Sequence, residues 1–274
     1  MLACPDRPGL IAAVSGFLAD AERNIVDADQ HSSREGRFFM RMAFDPAPEA
    51  EREALYRRFA EEIAGPLQMD HRFAESDARK RVAIMVSRED HCLSDLLWRS
   101  RSGELGAEVV AVVSNHPDHA RQVESLGLPY HHVPVEAGDR AAAEERVLEL
   151  LAGEVDLLVL ARYMQVLSAD FLARLDAPAI NIHHSFLPAF VGADPYARAH
   201  ERGVKLIGAT AHYVTEDLDA GPIIDQDVTR VSHRDEIDDL MQIGRDVERL
   251  VLARAVRAHL DDRVLLDGDR TIVF

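Results

Sequence analysis

Five apolar runs between residues 81 and 182 constrain the fold more than any other feature of this chain. They are Arg81–Ser87, Glu108–Ser114, Tyr130–Val135, Val155–Ala161 and Ala179–Ile182. Each has the length of a strand, and most lack the polar alternation of a strand with one wet face. Leu93–Arg101 and Arg140–Ala152, lying between them, carry the wider spacing of amphipathic helices. Strands that are apolar on both sides must be covered on both sides, and helices alternating with them provide that cover. This pattern predicts an α/β domain over 81–274, built on a mostly parallel, doubly wound sheet. Ligands gather at the carboxyl ends of strands in such sheets. Val204–Val214 and Pro222–Val228 read as further strands. Ser232, with Asp235 three residues on, reads as the cap of a helix over Arg234–His259. Asp267–Gly268 reads as a closing hairpin turn.

Residues 1–78 follow a different logic. Cys4-Pro-Asp-Arg-Pro-Gly9 is a loop, since two prolines and a glycine leave little room for regular structure. Leu10–Ala21 has helical spacing, whereas Asn24–Gln30 and Arg37–Phe44 read as strands. Pro46 and Pro48 end the second strand, and Glu49–Ile63 is a charged amphipathic helix. A βαββαβ order suits a small α+β, ferredoxin-like sandwich. The polar stretch 72–80 reads as the linker.

Composition removes several partners. A net charge of -17 disfavours nucleic acid and anionic membranes. No apolar run approaches the ~20 residues needed to span a bilayer. The N-terminus shows no basic segment followed by an apolar one. Cys4 and Cys92 provide no disulfide framework and fit a reducing compartment. The expectation is a cytoplasmic protein without nucleic-acid or membrane partners.

Chemistry concentrates at Ile180-Asn-Ile-His-His-Ser-Phe-Leu187, where an apolar strand runs into an amide, two imidazoles and a hydroxyl. Asp219 follows on a loop flanked by Gly221 and Pro222. An amide N–H suits a developing oxyanion, an imidazole shuttles a proton, and a carboxylate tunes the imidazole or places the nucleophile. Taken singly, Asn181 ends a strand, and in a chain with 13 histidines one His is usually structural. Taken together, Asn181, His183 and Asp219 form the set that acyl transfer needs. His184 should point away from His183, as neighbours on extended chain do. The pairs His131-His132 and His183-His184 lack metal-ligand spacing, so no metal is expected. No Gly-x-Gly-x-x-Gly follows the first apolar strand, so no dinucleotide is expected.

Cys4-Pro-Asp-Arg-Pro-Gly-Leu10 and Asn24-Ile-Val-Asp-Ala-Asp-Gln-His31 resemble the ACT-type regulatory domain that begins formyltetrahydrofolate deformylases. Ser87–Asp95, Leu160–Ser168, Asn181–Pro188, Val191–Tyr196 and Asp217–Ile224 resemble the catalytic domain and folate-dependent formyltransferase signature of the same family. The resemblance implies hydrolysis of 10-formyltetrahydrofolate to tetrahydrofolate and formate, feeding purine synthesis and balancing one-carbon pools. It implies Asn181, His183 and Asp219 as catalytic residues, Asn181 donating to the oxyanion and His183 passing a proton to N10. Met164, Gln165, Val166 and Leu167 would line the pterin pocket, with Thr215, Glu216, Asp217 and Leu218 on the opposite wall. Folate is then substrate rather than cofactor, no other cofactor is implied, and the ACT domain implies an amino-acid effector such as glycine or methionine and a homo-oligomer.

Glu89, Asp90 and His91 stand where related amine-acceptor transferases bind a phosphorylated acceptor, and two carboxylates there favour water. The chain departs from the family at Asp194 and at Ala197-Arg198, where a His-Gln pair is usual. It also begins almost at Cys4, which implies a shortened first ACT strand at a sheet edge. Two rival readings remain: a formyltransferase to an amine acceptor, and a non-catalytic folate or amino-acid sensor.

Overall fold

The computed structural model describes residues 1–136, 139–188 and 195–274. The chain divides into two compact units. Met1–Asp77, Asp262–Asp267 and Thr271–Phe274 form the first, and Ala78–Asp261 with Gly268–Arg270 form the second. The sequence reading keeps everything from 81 to 274 together. Residues 262–267 and 271–274 instead group with the first unit, where Arg37 faces Asp267 and Arg72 faces Asp262. Ion pairs between residues so distant in sequence leave no periodic signal.

In the first unit the elements are β1 (Leu2–Pro5), α1 (Leu10–Asp20), β2 (Ile25–Ser32), β3 (Arg37–Phe44), α2 (Glu49–Phe59), a wider π turn over Ala60–Ala64, α3 (Gly65–Leu67) and β4 (Asp70–His71). The sheet order is β2-β3-β1-β4, with β1 antiparallel to both neighbours. Leu10, Val14, Phe17 and Leu18 put one face of α1 into the core. There they meet Leu2 and Cys4 of β1 and Phe38 and Met40 of β3, alternate residues that share a face. Far from being a shortened edge, β1 lies inside the sheet.

The second unit runs β5 (Lys80–Val86), α4 (His91–Ser102), β6 (Ala107–Ser114), α5 (Ala120–Glu124), β7 (Tyr130–His132), α6 (Arg140–Leu151), β8 (Leu157–Leu160), α7 (Ala169–Arg174), β9 (Ala179–His183), α8 (Pro195–Arg202), β10 (Leu206–Tyr213), β11 (Ile223–Arg230) and α9 (Ile237–Leu260). The hairpin β12 (Val264–Asp267) and β13 (Arg270–Val273) closes the chain. Its turn falls on Gly268 and Asp269, with Gly268 in the left-handed region at φ 58. The seven-stranded sheet has the order β11-β10-β9-β8-β5-β6-β7. From β9 to β7 it is parallel, while β10 and β11 are antiparallel.

Val82–Val86 and Leu157–Ala161 are buried throughout, as strands covered on both faces must be. Leu151 and Val147 of α6 pack with Leu158 and Leu160 on one side. The helices α5, α7 and α8 are too short to carry a readable period, and none is foreseen from the sequence. The last helix starts later than expected. Asp235 does bond the Ser232 N–H, but the capping box belongs to Glu236 and Asp239. Among the described residues no helix is long and apolar enough to cross a membrane.

Candidate active site

Alternation along β9 turns Asn181 and His183 to the same face, with His183 at the strand's last position. The antiparallel register of β10 sets His212 opposite Asn181 and Thr210 opposite His183. His212 is 2% exposed. Its Nδ1 lies 2.8 Å from the Tyr213 carbonyl oxygen. A carbonyl only accepts, so Nδ1 carries the proton and Nε2 presents a lone pair. Asn181 Nδ2 lies 3.3 Å from that Nε2 and donates to it. This contact orients the Asn181 amide and leaves its second N–H for a ligand.

Asp219 arrives from the loop between β10 and β11 with φ 56, a left-handed conformation that Asp adopts more readily than most residues. Its Oδ2 is 3.2 Å from His183 Nδ1 and its Oδ1 is 3.8 Å from His212 Nε2. Burial pushes the Asp219 carboxyl upward, but the hydrogen bond and charge of His183 hold it well below the usual carboxylate range. His183 is the stronger partner, because His212 Nε2 is an acceptor in the tautomer its own bonds require. Asp219 is therefore a carboxylate, and His183 Nδ1–H donates to it. The other nitrogen of His183, Nε2, is buried without a hydrogen-bond partner. Carboxylate, imidazole, open nitrogen and a spare amide N–H together equip this face for proton transfer beside a developing oxyanion.

His184 follows His183 just beyond the strand end. Its ring lies 5.2 Å from that of His183 and 6.1 Å from Tyr196. Burial, reinforced by the charge of Arg162, pushes its pKa down to about 3, so it is neutral near pH 7. Of the anticipated pocket residues, Gln165, Val166 and Leu167 line a narrow cavity with Arg140, Glu144, Tyr163 and Phe171. Leu167 is itself buried in the core, and Met164 is exposed. Thr215–Leu218 form an exposed loop after β10, with Thr215 Oγ1 donating to the Asp217 carbonyl. Glu89 pairs with Arg245 at 3.0 Å, and Asp90 accepts from Ser94 Oγ at 3.2 Å. Ala197 and Arg198 are half-buried on α8, whereas Asp194 lies outside the described residues.

Behind this face lies a second polar cluster that the sequence reading does not find. Glu248 of α9, 1% exposed, accepts from Tyr196 Oη at 2.6 Å and His91 Nε2 at 2.8 Å, with Arg162 Nε 3.5 Å away. His91, Cys92 and Glu248 are the one group of metal-ligating types close together among the described residues. The neighbouring guanidinium opposes a cation there, and burial raises the Cys92 thiol well above its usual range. His212 is also new. Only a strand register places it, and a histidine within an alternating strand carries no signal of its own.

The family model described as "Formyl transferase" matches residues 80–256, and the one described as "ACT domain" matches 2–60. A formyltetrahydrofolate deformylase from Mycobacterium tuberculosis is 57% identical over 277 residues, covering 100% of this chain and 89% of that protein. One from Bacillus subtilis is 49% identical and covers 100% of this chain and 92% of its own. The crystal structure of a formyltetrahydrofolate deformylase from Pseudomonas syringae superposes with TM-score 0.94 at 50% identity, covering 100% of this chain and 92% of that one. Matched in both domains and along its whole length, the chain belongs to the formyltetrahydrofolate deformylase family.

Proposed function

We propose that this protein hydrolyses 10-formyltetrahydrofolate to tetrahydrofolate and formate, with Asn181, His183 and Asp219 as its catalytic residues. The observation that carries the reading is the His183–Asp219 pair at 3.2 Å with Nε2 of His183 left open. Water attacks the formyl carbon while Nε2 takes its proton, and Asp219 steadies the imidazolium through Nδ1. The free N–H of Asn181 donates to the oxyanion. As the C–N bond breaks, His183 returns the proton to N10, and formic acid leaves and ionises to formate, its proton going to solvent. Asp219 is ionised throughout, so it orients and steadies His183 rather than supplying a proton.

Gln165, Val166 and Leu167, bordering the cavity that also holds Arg140 and Glu144, support a pterin pocket beside Met164. The loop Thr215, Glu216, Asp217 and Leu218 forms its opposite wall. Folate is the substrate, and the mechanism needs no further cofactor. In the first unit a groove of ≈ 510 Å³ is lined by Asp6–Ala12, Gln30, Ser32 and Phe38. Helix α1 begins there at Gly9 without a side-chain cap, so its first N–H groups can meet an effector carboxylate. A small amino acid such as glycine or methionine fits this role, in a cytoplasmic homo-oligomer.

The test is formate and tetrahydrofolate release from 10-formyltetrahydrofolate by purified protein without an amine acceptor. Equimolar products are expected. Tetrahydrofolate released without formate, and only after an amine is added, identifies a transferase, and folate binding with no turnover identifies a sensor.

A further inference from the structure

We infer that Glu248 is a positioning residue for folate binding, acting through Arg162 on the segment 163–167. The inference rests on the proposed activity and deepens it.

Arg162 stands just beyond the carboxyl end of β8 with φ 64, a left-handed conformation that a non-glycine residue keeps only when its surroundings hold it. Its backbone is pinned to the end of β5. The Ala161 N–H donates to the Met85 carbonyl at 2.8 Å, the Ser87 N–H donates to the Arg162 carbonyl at 3.2 Å, and the Met164 N–H donates to Ser87 Oγ at 3.0 Å. Ser87 Oγ in turn donates to Asn115 Oδ1 at 2.7 Å. Each of the bonds joining this segment to β5 thus falls within two residues of Arg162.

The side chain needs an anchor of its own. It is 12% exposed, and Glu248 Oε2 faces its Nε at 3.5 Å. A buried guanidinium without a counter-charge would turn toward water and pull on its backbone. Glu248 is itself held firmly, because Tyr196 Oη and His91 Nε2 occupy both of its oxygens. The carboxylate, on α9, therefore reaches the predicted pterin segment without touching it. Tyr163, Gln165, Val166 and Leu167 line the cavity immediately beyond.

Steady-state hydrolysis and tetrahydrofolate affinity by calorimetry are compared in wild type, Glu248→Gln, Arg162→Met and the double variant. In Glu248→Gln, KM is expected to rise about tenfold with kcat changing far less, and tetrahydrofolate Kd to rise in parallel. The double variant should be no worse than Arg162→Met alone, since the two substitutions break one route. An unchanged KM, a loss confined to kcat, or effects that multiply in the double variant would overturn the inference. If Glu248→Gln does not fold, Tyr196→Phe, which removes one bond to Glu248 and keeps both charges, should raise KM about threefold. No rise would again overturn it. Wild type that binds tetrahydrofolate without releasing formate defeats the activity reading, while the affinities still decide the role of Glu248.

Discussion

The His91–Glu248 and His183–Asp219 pairs of the formyl transferase domain differ in what surrounds each carboxylate. At His91 and Glu248 the carboxylate is 1% exposed, both its oxygens accept hydrogen bonds, and a guanidinium stands beside it. At His183 and Asp219 the carboxylate comes from a loop in a left-handed conformation, and the Asn181 amide, with an N–H to spare, lies on the same face; the far imidazole nitrogen is buried without a hydrogen-bond partner in both pairs. On the proposed mechanism the same two functional groups serve as a fastening in one place and as an acid–base pair in the other. A buried charge that is fully bonded rigidifies its surroundings. An imidazole whose bare nitrogen lies beside a spare amide N–H can take up a proton and return it.

The largest effect should separate the two pairs. Asp219→Asn keeps the shape of the loop but removes the charge that steadies an imidazolium, and kcat should fall by roughly 10³–10⁴. His91→Asn should lower kcat less than tenfold. Comparable losses in both would erase the distinction. Asn181→Ala removes the oxyanion donor and should cost roughly 10²–10³ in kcat, read under saturating substrate. A loss under tenfold would move the oxyanion elsewhere.

Gly244 packs against the Tyr196 hydroxyl so closely that an added Cβ would displace it. Gly244→Ala should therefore loosen the fastening and cost roughly 2 kcal/mol of stability, seen as a lower melting temperature. An unshifted transition would show that Tyr196 moves aside freely. His212→Phe keeps the bulk of the ring but loses the acceptor that orients Asn181, and kcat should fall on the order of tenfold, about 1.4 kcal/mol.

The smallest effect is a pH dependence of stability. Burial raises the Glu248 carboxyl, but His91 and Arg162 bring it down to about 2, below its ordinary 4.5. Its stabilisation is complete above pH 4.5 and fades as pH falls toward 2. His184, held near 3 against an ordinary 6.5, acts in the same direction, its share fading as pH drops from 6.5 toward 3. The denaturant midpoint should therefore decline below pH 6.5, and less steeply in His184→Asn. An equal slope in that variant would take His184 out of the account.

The sequence exposed what short-range pattern encodes. Continuous apolar runs disclosed β5, β6 and β8, and the spacing of Leu10, Val14 and Phe17 disclosed α1. Asn181 and His183 were legible because two residues on one strand share a face, and Asp219 because a motif brings it along. His212 was not legible, since it acquires its neighbours only when β10 pairs antiparallel with β9. Glu248 was hidden for a related reason. On a helix rich in charge it reads as surface, and only packing brings Arg162, 86 residues earlier, within 3.5 Å of it. That residues 262–267 and 271–274 group with the first unit was not legible, because the ties of Asp267 to Arg37 and of Asp262 to Arg72 are made by side chains far away in sequence.

The central claim is that His183, paired with Asp219, uses water to take the formyl group from folate. Its most direct test is turnover of 10-formyltetrahydrofolate in water enriched in heavy oxygen, without any amine, for wild type and Asp219→Asn. The account predicts formate carrying one labelled oxygen per turnover in the wild type and almost none formed by the variant, although the variant still binds tetrahydrofolate. Unlabelled formate, or labelled formate produced equally well by Asp219→Asn, would contradict it.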